Sequence, residues 1–138
     1  MENEKKLPQI VGSGFLSKNF KKYEKLFEKL NVCLYAAGVS DSQCTDKDLL
    51  EKDSSRLFNF KNLIRDDQIL VYFSTCSIKD PSRNNTPYVK NKIIIENYIV
   101  KNFKKYLIVR LPEVVGKSTN KKTLINFFFN KIKQKSKF

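Results

Sequence analysis

Four short apolar runs punctuate this chain: Pro8–Val11, Asn31–Ala36, residues 68–73 and Tyr106–Arg110. Between them, apolar residues recur at helical rather than strand spacing. Phe15, Leu16, Phe20, Tyr23, Phe27 and Leu30 outline one helix after the first run. A second is predicted over about 46–62, with Thr45 as its cap. A third runs over 87–103, with Thr86 as N-cap and Pro87 at the first position, where a missing N–H costs nothing. Ile93, Ile94, Tyr98 and Ile99 give that helix its core face. A last helix is predicted over about 120–134. Strands alternating with helices predict an α/β protein with a parallel sheet of about four strands and helices on both faces. At 138 residues the expectation is one domain, 1–138, burying roughly two-thirds of its unfolded surface.

The chain has four glycines, Gly12, Gly14, Gly38 and Gly116, and each falls just past the carboxyl end of a predicted strand. That edge is where open α/β sheets bind ligands. Gly12-Ser13-Gly14-Phe15-Leu16-Ser17 follows a strand and opens a helix, the setting in which backbone amides can approach a phosphate. Ala36-Ala37-Gly38 follows the second strand with side chains small enough to admit a flat ligand to the backbone.

Charge and cysteine content narrow the partners. The formal net charge is +13, but it comes almost wholly from Lys, with four Arg (Arg56, Arg65, Arg83 and Arg110). Arg-led base readout and aromatic stacking signatures are lacking, so nucleic acid is disfavoured as a partner. The residues after Glu113 carry Lys117, Lys121, Lys122, Lys131, Lys133, Lys135 and Lys137 around Phe127-Phe128-Phe129. No apolar run is long enough to span a bilayer and the N-terminus lacks a signal-peptide core, so membrane attachment is disfavoured and a cytoplasmic protein is expected. Cys33, Cys44 and Cys76 have no metal-ligand spacing and His is absent, so no metal site is expected.

The chemistry concentrates in residues 69–96. An apolar strand ends in two hydroxyls, Ser74 and Thr75. The next helix carries Tyr88 and Lys92, whose spacing of four puts phenol and ammonium on one face. A hydroxyl to orient a substrate oxygen, a phenol to pass its proton and an ammonium to pull the phenol pKa below 10 are the parts needed beside a hydride donor. With six Tyr in a Lys-rich chain, one Tyr-x-x-x-Lys arises by chance, so the context carries the meaning.

That context is a set of landmarks in fixed order: the Gly12/Gly14 loop, Ala36-Ala37-Gly38, the strand-end hydroxyls, Tyr88-x-x-x-Lys92 and Arg110-x-Pro112-x-x-x-Gly116. Over about residues 8–118 the set resembles the extended branch of the short-chain dehydrogenase/reductase superfamily, the sugar-nucleotide epimerases, dehydratases and reductases. The resemblance implies an abbreviated Rossmann-like sheet, in the order 1-4-5-6 of the usual numbering. It implies NAD or NADP as cofactor, held by Gly12, Gly14, Phe15, Leu16, Ala36, Ala37, Gly38, Tyr88, Lys92, Pro112 and Val114. Thr75, Tyr88 and Lys92 would be catalytic, with Thr75 preferred to Ser74 when Ser74-Thr75-Cys76-Ser77 is aligned with the family pattern. A nucleotide-sugar substrate and a place in surface-polysaccharide precursor synthesis follow from the same likeness.

Two departures stand out. Val11 and Ser17 occupy the outer positions of a Gly-x-x-Gly-x-x-Gly loop. About twenty residues separate that loop from the next strand, too few for the usual second and third strands or for the acid that holds the adenosine ribose. Measured against that family, the region that grips the sugar is expected to be largely absent from these 138 residues. A second reading is therefore a truncated, non-catalytic module of the dinucleotide-binding fold that docks on a partner or an anionic ligand. A homodimer is a further expectation, since a second copy could complete the site.

Overall fold

A computed structural model describes residues 8–112 together with 114 and 132–133. Gly116, nearly all of the helix expected over 120–134 and most of the Lys-rich tail lie outside the described residues.

Among the described residues, four strands form one sheet: β1 (Ile10–Val11), β2 (Val32–Tyr35), β3 (Ile69–Thr75) and β4 (Tyr106–Leu111). Their order is β1-β2-β3-β4 and every pairing is parallel. The expected strands are all present, with ends shifted by a residue or two, and the abbreviated sheet is the one predicted.

The first helical stretch is broken. Helix α1 (Phe15–Phe20) passes through a 3₁₀ turn at Lys21–Tyr23 into α2 (Glu24–Lys29). A straight helix would separate positions 20 and 27 by about 10 Å along its axis. Here the Phe20 and Phe27 rings lie 6.1 Å apart. Helix α3 spans Lys47–Phe60, capped by Asp46, whose carboxylate accepts from the Leu49 N–H at 3.0 Å. Asp46 therefore replaces Thr45 as the cap; a carboxylate is also favoured there by the helix dipole. Helix α4 (Pro87–Asn102) starts as expected, with the Thr86 hydroxyl accepting from Val89 N–H at 3.4 Å.

Strand alternation sorts side chains between the faces. Cys33, Tyr35, Leu70 and Tyr72 point to one side and pack with Leu57 and Phe60 of α3 and Ile95, Ile99 and Phe103 from α4 and its C-cap. Phe73 points the other way, and Phe20 of α1 stacks on it with ring centroids 6.0 Å apart. The helices therefore cover both faces.

This arrangement has a topological consequence. The chain steps one place in the same direction at every crossover, yet α1 lies on the opposite face from α3 and α4. The β1–β2 crossover must then have the opposite hand to the two that follow it, although about 98% of such connections are right-handed. In a doubly wound sheet the first helix occupies that opposite face because the chain first runs the other way from strand 1. The helix keeps that position here although the chain passes directly to the neighbouring strand.

Gly12 makes this junction possible. Its φ is +124°, and a Cβ there would overlap the Ala36 carbonyl oxygen. Backbone from β1 thus lies directly against backbone leaving β2. Replacement by Ala, Gly12→Ala, is expected to cost about 1–3 kcal/mol of stability, read as a lower urea midpoint. Gly14, whose Cβ position is open, should tolerate Gly14→Ala with much less loss.

Candidate functional site

The sequence-predicted site residues gather at the carboxyl edge of the sheet. Gly12, Ser13 and Gly14 form an exposed loop between β1 and α1. Val11 is not part of it: this residue pairs with Tyr35, and its carbonyl accepts from Ala36 N–H at 2.7 Å. Gly14 is the N-cap of α1 with extended backbone. Phe15 and Leu16 are half-buried, and Ser17 is buried with its hydroxyl donating to the Gly14 carbonyl at 2.9 Å. Ala36, Ala37 and Gly38 leave the end of β2, half-buried. Pro112 and Val114 follow β4, Pro112 exposed and Val114 half-buried.

Lys92 is the centre of the site. It lies on α4 at 2% exposure. Its Nζ donates to Tyr72 Oη at 3.2 Å and pairs with the Asp53 carboxylate at 3.7 Å. The ammonium also sits 5.5 Å from the ring centroids of both Tyr72 and Tyr88, within cation–π range. Asn91 Nδ2 donates to the same Asp53 oxygen at 3.2 Å. A Cβ on Gly38 would fall 2.8 Å from Lys92 Nζ, so the glycine leaves room for the ammonium. The structure thus brings Gly38, Tyr88 and Lys92 together, from the turn after β2 and the start of α4.

Asp53 was not singled out from the sequence, though a signal was present. It sits between Leu50 and Leu57 on the buried stripe of α3, where a charge needs a partner.

Tyr88 departs from expectation. Its ring is 7% exposed and packs with Cys44, Leu50 and Val89, with Val39, Ile78 and Ile93 around them. The segment after Gly38 covers it, held from the far side by Arg83, whose Nη2 donates to the Ser42 carbonyl and hydroxyl at 3.2 and 3.1 Å. Burial, with Asp53 adding to it and Arg83 opposing, pushes the phenol up to about 12. The expected lowering below 10 is corrected: burial, with the Asp53 charge, outweighs the opposing charge of Arg83. Lys92 moves down from 10.5, because burial outweighs the stabilising Asp53 charge.

The two strand-end hydroxyls separate. Alternation puts Ser74 on the side of Tyr72 and α4, where it lies against the Glu96 carboxylate without a well-formed hydrogen bond. Burial raises the Glu96 carboxyl, but Arg110, Ser74 and Lys79 together bring it below its usual value. Arg110 grips Glu96 through Nε and Nη2 at 3.0 and 2.6 Å, so Arg110 is an ion-pair partner tying β4 to α4. Thr75 stands last in β3, and its Oγ1 accepts from Ser77 N–H at 3.1 Å, starting the turn at Cys76–Lys79.

Among the described residues no group of acids and cysteines could hold a metal ion, and no helix is long and apolar enough to cross a membrane.

Two outcomes follow from this geometry. Removing either partner of the buried pair, by Lys92→Met or Asp53→Leu, should cost about 3–5 kcal/mol, whereas the double variant should cost less than either, because no unpaired charge remains; urea unfolding of the four proteins measures this. Alkaline stability should also fall. Tyr35, Tyr88 and Cys33 rise to about 12 in the fold, chiefly by burial, from 10.0, 10.0 and 9.0, and Tyr72 rises well above 10.0 for the same reason. Their stabilising contribution is complete below pH 9 and is lost as the pH climbs toward 12, while Lys92 acts weakly in the opposite sense. The urea midpoint should drop across that window, and Tyr88→Phe should flatten the drop. The chain matches no protein-family model, no curated protein and no solved structure, so its functional reading rests on these residues.

Proposed function

We propose that this chain is a nicotinamide-nucleotide-dependent oxidoreductase acting on a nucleotide sugar, working in the direction of ketone reduction. The observation that carries this reading is the placement of the Lys92 ammonium between the Tyr88 ring and the Gly38 backbone at the carboxyl edge of a parallel sheet. Two further features support it. The Gly12 loop opens beside Ala36 and Ala37, and α1 occupies the face that a doubly wound nucleotide-binding sheet reserves for its first helix.

The bound nicotinamide supplies the hydride. Tyr88, protonated up to about pH 12, donates its proton to the substrate oxygen as that oxygen gains negative charge. An alkoxide is far more basic than a phenolate, so the transfer runs downhill, and a phenol that stays protonated at neutral pH is in the state an acid requires. Lys92, anchored by Asp53 beside the Tyr88 ring, would be the residue to hold the nicotinamide ribose. Strand alternation turns Thr75 to the Phe73 face, away from Tyr88 and Lys92, so the hydroxyl expected to hold the substrate oxygen does not join them. Cytoplasmic polysaccharide-precursor synthesis is the setting in which a keto nucleotide sugar would meet this site.

One observation favours the second reading, a binding module without catalysis. Tyr88 is covered by Val39 and Cys44 and latched through Arg83 and Ser42, so the phenol is shielded until that segment moves. Incubation with NADH or NADPH and a panel of keto nucleoside-diphosphate sugars distinguishes the two. Oxidation of the nicotinamide with formation of the reduced sugar is expected, and a folded Tyr88→Phe variant should lose about 10²–10⁴ in rate. Cofactor binding with no conversion of any sugar would leave the module reading in its place.

A further inference from the structure

Tyr88 lies beneath a piece of chain that belongs to neither sheet nor helix. Residues 39–45 run from the exit of β2 to the start of α3 without regular structure. Both ends of this piece are fixed. On one side Arg56 Nη1 donates to the Ala37 carbonyl at 2.9 Å, just past the end of β2. On the other, the Asp46 carboxylate accepts from Leu49 N–H at 3.0 Å as the cap of α3. Between these anchors the turn bonds to itself. Gln43 N–H donates to the Asp41 carboxylate and Cys44 N–H to the Asp41 carbonyl, both at 3.0 Å. Bonds made inside the segment survive its displacement, so it can move as a unit.

What ties the unit down is polar and what it buries is small. Arg83 reaches over from the loop before α4, and its Nη2 donates to the Ser42 carbonyl and hydroxyl at 3.2 and 3.1 Å. The segment contributes Cys44 and the half-buried Val39 to a cluster with Leu50, Tyr88 and Val89. That cluster is separate from the main core, where Cys33, Leu57, Leu70, Ile95 and Ile99 meet. Segments with few buried apolar side chains open at free energies below that of global unfolding. Lifting residues 39–45 exposes Cys44 and the Tyr88 ring and leaves the main core packed.

We propose that residues 39–45 are a hinged cover, turning about Gly38 and Asp46, which opens without unfolding of the sheet and is held shut by Arg83 on Ser42. The open form is the one in which a ligand of any kind reaches the Tyr88 hydroxyl. The inference stands whether or not the protein is an oxidoreductase.

Two buried cysteines read the opening against each other. Cys44 leaves its cluster with the cover, whereas Cys33 sits in the main core at 1% exposure. The exposed Cys76 is replaced by serine, Cys76→Ser, to silence it. The full chain is then treated with an aromatic disulfide reagent over a series of urea concentrations below the unfolding midpoint. Labelled peptides are quantified by mass, and each rate is divided by that of the same cysteine in the unfolded chain. Cys44 should react at least about tenfold faster than Cys33. Its rate should barely change with urea, because local opening exposes little surface, while Cys33 should follow the full slope of global unfolding. Equal rates with one shared steep slope would overturn the proposal, since the cover would then open only with the whole fold. Arg83→Ala, its folding checked by the urea midpoint, should speed Cys44 labelling about tenfold without urea. An unchanged Cys44 rate in that variant would remove Arg83 as the latch and overturn the proposal as stated. Should Arg83→Ala not fold, the comparison of Cys44 with Cys33 decides by itself.

Discussion

A lysine ammonium buried to 2% exposure sets the terms for the carboxyl end of this sheet. Stripping water from such a charge costs several kcal/mol, and only good partners offset it. Lys92 finds them in three different elements: Asp53 on α3, Tyr72 on β3 and the Tyr88 ring on its own helix. Because each partner must be in place at once, the ion pair fixes how α3 and α4 lie relative to each other and to the end of β3. The apolar cluster below, from Leu57 to Ile99 and Phe103, would accept small slips along the helix axes. The polar knot above it would not, since a slip of one turn would leave a buried carboxylate facing hydrocarbon. The requirement extends to Gly38, where any Cβ would crowd the ammonium.

The second constraint is the contact between Gly12 and the Ala36 carbonyl. It draws β1 and the exit of β2 together at backbone distance, and only a residue without Cβ at φ +124° permits it. Together the two glycine contacts bring the β1 loop, the β2 exit and the α4 face into one neighbourhood. Elsewhere at this edge the ties are less buried, an ion pair in one place and arginine hydrogen bonds to neutral acceptors in another. Arg110 and Glu96 fasten the outer strand β4, and Arg83 fastens the segment over Tyr88. The edge therefore grades from a rigid interior around Lys92 to an outer cover that can be released without breaking the core.

The sheet was legible because its cues are local. Apolar runs, turn glycines and the Thr86-Pro87 start determine strands and α4 through interactions within a few residues. What sequence reading missed depends on partners far along the chain. Asp53 lies 39 residues from Lys92, and nothing near Asp53 announces the ammonium; only its intrusion into the Leu50–Leu57 stripe hints at one. The break at Lys21–Tyr23 contains neither Pro nor Gly, so local rules read through it, and the stacking of Phe20 on Phe73 shows a tertiary contact shaping that stretch. The phenol pKa was misjudged for a related reason. Spacing reveals that Tyr88 and Lys92 share a face, but not that Cys44, Leu50 and Val39 close over the ring.

That closure bears on how readily Tyr88 ionises. A tyrosine acting as base must spend time as phenolate, and at a value near 12 only about one molecule in 10⁵ would be ionised at neutral pH. The same phenol acting as acid is fully protonated and ready. Opening the Val39–Cys44 cover would readmit water and lower the phenol toward its ordinary value, which favours the base but also weakens the attraction of Lys92 for the ring, because water screens the charge. Keeping the cover shut preserves the strength of the Lys92 contacts but shields the phenol, so any proton transfer from Tyr88 requires the cover to move. The apolar packing around Tyr88 thus stabilises the fold and at the same time holds the phenol away from solvent.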